Sequence, residues 1–129
     1  MSKFFLSKKS ESRLTGVHPD LAAVVRRAIE ITETDFTVLE GVRSKARQAQ
    51  LVASGASQTM NGRHITGHAV DLGAYVAGQV RWDWPLYHKL AATMKQAAQD
   101  VGVSIVWGGD WKGFPDGPHF ELPREEYPA

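Results

Sequence analysis

The chain has 129 residues, 43% of them hydrophobic, which is the size of one domain with enough apolar surface for one core and too short for two. Fifteen Lys and Arg against fourteen Asp and Glu leave a formal charge of +1, which does not point to a nucleic-acid binder, and the absence of cysteine excludes disulfides, thiolate zinc clusters, iron-sulfur sites and a cysteine nucleophile. Any metal must therefore be held by His, Asp or Glu.

The strongest apolar run near the start, Phe4-Phe5-Leu6, is far short of a secretory core or a membrane span, so synthesis in the cytoplasm and no membrane insertion are expected. Residues 1–17 carry Lys3, Lys8, Lys9 and Arg13 against Glu11 alone and read as a solvated polar arm. From Pro19, Leu21, Val24, Val25, Ala28 and Ile29 recur at helical spacing, and the proline suits a first turn. Residues 36–42 read as a strand. Ser44 is a candidate N-cap for a second helix that runs to about Ser54 and stops at Gly55.

Residues 55–67 hold Gly55, Ser57, Asn61, Gly62 and Gly67, a turn-rich stretch suited to a functional loop. A strand over 69–76 and a turn at Ala77-Gly78-Gln79 follow. The third helix is predicted from Trp84-Pro85 to Gly102, with Leu86, Leu90, Met94, Ala97, Ala98 and Val101 on its buried face. Residues 103–107 read as a buried strand, 108–117 as a loop, 119–122 as a last short strand and 123–129 as a polar tail. Helices first, strands later and no regular βαβ alternation give an α+β domain with a small, mostly antiparallel sheet and flanking helices.

Two segments carry the chemistry. In Arg63-His64-Ile65-Thr66-Gly67-His68-Ala69-Val70-Asp71, His64 sits on a glycine-rich turn and Asp71 in the strand that follows. In Asp116-Gly117-Pro118-His119-Phe120-Glu121, a second histidine opens a strand with a carboxylate three residues before it. Two histidines and one carboxylate would give zinc three protein ligands and leave a fourth position open, the pattern of a catalytic rather than a structural site. On spacing alone the signal is modest, because five histidines and fourteen acids produce such spacings by chance.

The motifs taken together go further. His64-x-x-Gly67-x-Ala69-x-Asp71 followed by Asp116-x-x-His119 resembles the zinc signature of the D-alanyl-D-alanine carboxypeptidase superfamily, and most of all its phage endolysins that cleave L-alanyl-D-glutamate bonds in peptidoglycan. Gly41-Val42-Arg43-Ser44 with Gln48, and Trp107-Gly108-Gly109-Asp110-Trp111, are also similar to family segments and stand in the right order, so the resemblance covers roughly residues 17–122. It implies a Hedgehog/DD-peptidase-like fold and a single zinc peptidase domain over 1–129 without a separate wall-binding domain. One zinc ion would be held by His64, Asp71 and His119. Asp116 would be the catalytic base, and Arg43 would bind substrate near the scissile carbonyl. Peptidoglycan stem peptides would be the substrate, reached by a monomer after a separate holin-type protein opens the membrane.

Gln48, His68 and Trp111 are further candidates for substrate contact. His68, four residues after His64, is not expected to ligate, because Gly67 and the strand pattern preclude a helical His pair. Glu121 shares a strand face with His119 and could orient it, with Asp110 a further candidate for a supporting role. Trp82 and Trp84 read as packing residues; Trp107 and Trp111 flank the catalytic loop. Arg43, Lys45, Arg47 and Arg63 form an acid-free basic stretch that could face an anionic wall polymer or merely solvent. Two departures stand out: Gly62 occupies a position where the family commonly has serine, and residues 111–115 lack the acids of a calcium loop, so calcium regulation is not expected. The rival readings are a D-alanyl-D-alanine carboxypeptidase and a non-catalytic, zinc-stabilised wall-binding module.

Overall fold

The computed structural model describes residues 3–55, 62–113 and 115–128; Ser57 and Asn61 of the turn-rich stretch, and Phe114, lie outside the described residues. The helices are α1 (Lys8–Arg13), α2 (Pro19–Ile31), α3 (Lys45–Ala53) and α4 (Trp84–Val101). The strands are β1 (Phe36–Glu40), β2 (Ala69–Val76), β3 (Gln79–Arg81), β4 (Val106–Trp107) and β5 (His119–Glu121), with a 3-10 turn at Gly108–Asp110. In the sheet the order is β1-β2-β5-β4 with β3 hairpinned onto β2, and each of these pairs is antiparallel. The α+β architecture with a small antiparallel sheet is thus the one expected.

Alternation along β2 divides the molecule. Val70, Leu72 and Ala74 are fully buried, and they pack with Val38 of β1, Phe120 of β5 and the apolar stripes of α2 and α4 in one core. Asp71 belongs to the other face, and its register partners are His119 on β5 and Glu40 on β1. Helix α2 begins where Pro19 fixes the first turn and the His18 ring accepts from the Asp20 amide, and its predicted face is the buried one. Helix α4 ends at Gly102, whose φ of +74° supplies the left-handed cap. Its buried face includes Tyr87 and Ala91, whereas Val101 is exposed and Leu86 half-buried. The Tyr87 hydroxyl donates to the Arg81 carbonyl (2.6 Å) and accepts from the Ala74 amide (3.2 Å), locking the hairpin to the helix.

Several boundaries differ from expectation. The supposed N-terminal arm contains α1, capped by Ser7; Leu14 and Val17 are core residues, and buried Ser10 accepts from the Val38 amide. Their few apolar side chains were hidden among polar neighbours in sequence, but β1 offers them a place to pack. The polar tail likewise folds back: Tyr127 packs against the core and its hydroxyl donates to Asp20 (2.7 Å). The strand expected over 103–107 contracts to Val106–Trp107, and β1 ends at Glu40, because a strand lasts only as long as a partner answers its ladder.

Candidate active site

His64 and Asp71 are brought to one point by the loop between α3 and β2, and this loop depends on Gly67. Its φ is +80°, and a Cβ there would fall 2.5 Å from the Gly16 carbonyl oxygen. Register then sets Asp71 directly opposite His119. His64 Nε2 lies 3.2 Å and His119 Nδ1 3.3 Å from the same Asp71 oxygen, and one ligand atom from each of the three residues falls within 4.8 Å of the others.

The outer nitrogens settle which atoms face inward. His64 Nδ1 is 2.8 Å from the Gly41 carbonyl, which can only accept, so this nitrogen donates and Nε2 is left for the cluster. His119 Nε2 is 2.8 Å from Glu121 Oε1, which leaves Nδ1 for the cluster. A histidine whose far nitrogen is tied to a carboxylate or carbonyl is oriented for metal binding, and both rings are tied in this way. The donor set fits zinc: two nitrogens and a carboxylate oxygen, three of the four ligands that a tetrahedral zinc ion takes.

Electrostatics among the site's own side chains follow the same geometry. Burial alone would raise the Asp71 carboxyl, but hydrogen bonds from His119 and His64 override it and hold it well below the usual carboxylate range. Burial pulls the His119 imidazole down, yet its bonds to Asp71 and Glu121 prevail and push it up to about 9. A proton on His119 therefore occupies the place a cation would take. Asp116 is half-buried beside the cluster, and burial together with the negative charge of Asp71 raises its carboxyl.

The second motif is held from beneath by glycines. The Asp116 amide donates to the Gly108 carbonyl (2.9 Å), the His119 amide to the Asp116 carbonyl (3.2 Å) and the Trp107 indole to the Gly117 carbonyl (2.7 Å). A Cβ on Gly108 would sit 2.5 Å from the Asp116 carbonyl oxygen and 2.9 Å from the His119 Cβ. This explains why Trp107-Gly108 and Asp116-x-x-His119 occur together: the first is the floor on which the second rests.

Arg43 is nearly buried and has three anchors: its Nε donates to Glu40, its Nη1 to Gln48 Oε1 (2.8 Å), and its Nη2 lies 3.6 Å from Asp71 Oδ2. Gln48 is 1% exposed, so it supports Arg43 from within, and a Cβ at Gly62 would lie 3.3 Å from its amide nitrogen. Trp111 is 37% exposed and leans on the His119 ring at 4.9 Å between centroids. His68 turns to Thr66 Oγ1 (2.7 Å) and to the His18 ring, and burial lowers its pKa.

Arg63 and Asp110 are placed differently from expectation. Arg63 does not face the cleft: it is 3% exposed and donates to the Leu122 and Tyr127 carbonyls at 3.0 and 2.6 Å, while its Nε and Nη1 have no partner among the described residues. His64 enters the site while its neighbour Arg63 fastens the C-terminal segment. Asp110 pairs with Lys95 at the surface; Lys45 and Arg47 are exposed on α3, and Trp82 and Trp84, though 61% and 46% exposed, pack as expected, Trp82 stacked on Tyr87 and Trp84 edge-on to Trp107. Glu40 was not anticipated at all; an acid ending a strand carries no signal of its own.

Residues 1–123 match the family described as phage L-alanyl-D-glutamate peptidase. The chain belongs to this family. It is 35% identical over 128 residues to the L-alanyl-D-glutamate peptidase of Escherichia phage T5, covering 96% of this chain and 93% of that protein. It is 31% identical to the L-alanyl-D-glutamate peptidase of Listeria phage A118 over 98% of this chain but only 45% of that longer protein. The solved Serratia marcescens L-Ala D-Glu endopeptidase ChiX superposes with a TM-score of 0.91 at 48% identity, over 96% of this chain and 93% of that one. The vancomycin resistance D,D-dipeptidase VanXYg, at 20% identity and a TM-score of 0.55 over 82% of this chain and 50% of its own, shares the fold.

Proposed function

We propose that this chain is a zinc-dependent endolysin peptidase that hydrolyses the L-alanyl-D-glutamate bond of peptidoglycan stem peptides. The observation that carries the proposal is the convergence of His64 Nε2, His119 Nδ1 and an Asp71 oxygen, each imidazole fastened from behind. Bound there, zinc supplies Lewis acidity, polarising a carbonyl and acidifying water. Asp116, raised above an ordinary carboxyl by burial and by Asp71, accepts the proton of the attacking water and passes it to the departing D-glutamate nitrogen. Arg43 sets fixed positive charge where the carbonyl oxygen becomes negative. Trp111 offers a flat apolar wall beside His119, and His68, whose Nδ1 bonds to Thr66, an imidazole with Nε2 for hydrogen bonding to the peptide.

No helix among the described residues is long and apolar enough to cross a membrane. The proposal also includes release to the wall by a separate holin-type protein, and action as a monomer with one zinc. Digestion of purified peptidoglycan followed by mass spectrometry tests the bond: new L-alanine C-termini and D-glutamate N-termini are expected, with glycan strands intact. Release of free D-alanine alone would make the enzyme a carboxypeptidase, and new reducing sugar ends would overturn the peptidase reading.

A further inference from the structure

We infer that Glu40 is a positioning residue for the proposed peptidase: a bulge in β1 carries its carboxylate to the metal-binding face of the sheet, where it fixes the Arg43 guanidinium beside Asp71. The catalytic consequence rests on the peptidase reading; the structural link does not. In the β1–β2 ladder Phe36, Thr37 and Val38 face Ala74, Gly73 and Leu72 in step, and the register then shifts so that Glu40 rather than Leu39 stands opposite Asp71. Without the shift, strict alternation would put Glu40 on the same face as Val38, which is fully buried in the apolar core. A bulge inserts one residue, re-aims the side chains after it, and occurs often beside active sites.

The re-aimed carboxylate does two things. It takes the Nε edge of Arg43, while Gln48 takes Nη1, so a long side chain that would otherwise sample many rotamers is held by two groups on different elements. Nη2, in a looser 3.6 Å contact with Asp71, is held less tightly and can be shared with a substrate oxygen. It also balances charge: a dication held by Asp71 would be repelled by an unpaired guanidinium next to it, and Glu40 cancels that repulsion.

The test compares wild type, Glu40→Gln, Glu40→Ala, Arg43→Ala and the Glu40→Ala/Arg43→Ala pair, all loaded with zinc, on a purified muropeptide. Glu40→Ala is expected to lose about 10-fold in kcat with zinc stoichiometry still one per chain, and Glu40→Gln to lose less, since its amide oxygen can still accept from Nε. In the Arg43→Ala background the Glu40 change should add less than about 2-fold, because a residue that acts through Arg43 has nothing left to act on. Multiplicative losses, or wild-type kcat in Glu40→Ala, would overturn the inference. NMR of the metal-free protein gives a reading independent of catalysis: the Arg43 Nε–H signal should be protected from exchange in wild type and lose that protection in Glu40→Ala, or in Glu40→Gln to a lesser degree if the alanine variant does not fold. An unchanged signal refutes the link. Should the wild-type enzyme release no D-glutamate N-termini, the peptidase reading fails while the NMR result still decides the Glu40–Arg43 contact.

Discussion

At Asp71 one carboxylate answers to two imidazoles and a guanidinium, and the division of labour in the site follows from that crowding. Asp116 stands outside those contacts, with a raised carboxyl suited to taking a proton. Asp116→Asn is therefore expected to keep its zinc and its melting temperature but to lose roughly 10²-fold or more in turnover. Loss of zinc with activity restored by excess metal would instead make Asp116 a ligand or a support. If His119 is a ligand as proposed, His119→Ala removes it and leaves Asp71 and Glu121 without their imidazole partner, so elemental analysis of the dialysed variant should find the zinc largely gone. Full occupancy there would refute the ligand assignment.

Among the elements, α3 and the loop after it hold the site most delicately. Helix α3 buries only Gln48, so packing contributes little and its cap matters more. The Ser44 side chain accepts from the Arg47 amide at 3.1 Å, and Ser44→Ala should cost about 1 kcal/mol in denaturant unfolding. Because Gln48 braces Arg43, the same substitution should also lower kcat, an effect that a helix unrelated to the site would not produce. Gly67→Ala is more severe. The left-handed backbone costs about 1–2 kcal/mol for a residue with a Cβ, and the collision with the Gly16 carbonyl adds to it. A variant that melted like wild type would show that this loop is not anchored as described.

At the scale of the whole molecule, pH and metal act against each other. In the metal-free protein the His119 pKa is raised from 6.5 to about 9, so its contribution to stability is complete below about pH 6.5 and is lost as pH rises through 9. The lowered Asp71 contributes above its unfolded value of 3.8 and fails only on acidification, while raised Asp116 adds to the decline as pH rises from about 4. Metal-free protein should thus be more stable at pH 6 than at pH 9, by up to about 3 kcal/mol. Zinc affinity should run the other way across that range, because the metal must displace the proton on His119. Calorimetry with and without chelator at the two pH values checks both signs; a metal-free protein equally stable at both would contradict the His119 network.

Local chemistry was enough for much of this. Pro19 and Gly102 mark helix ends through their own backbone preferences, and the short motifs around His64–Asp71 and Asp116–His119 resemble a zinc signature although their spacing alone says little, because each of these signals lies within a few consecutive residues. Distant pairings were decided only in three dimensions. Leu14 and Val17 became core because the fold packs them with Val38 and Phe36 in one cluster, Arg63 turned from the cleft to the C-terminal carbonyls, and Glu40 reached the face that bears Asp71 through a register shift that exists only between two paired strands. A sequence records which groups a residue can offer. Which partner accepts them depends on strand register and burial, and these belong to the folded chain as a whole.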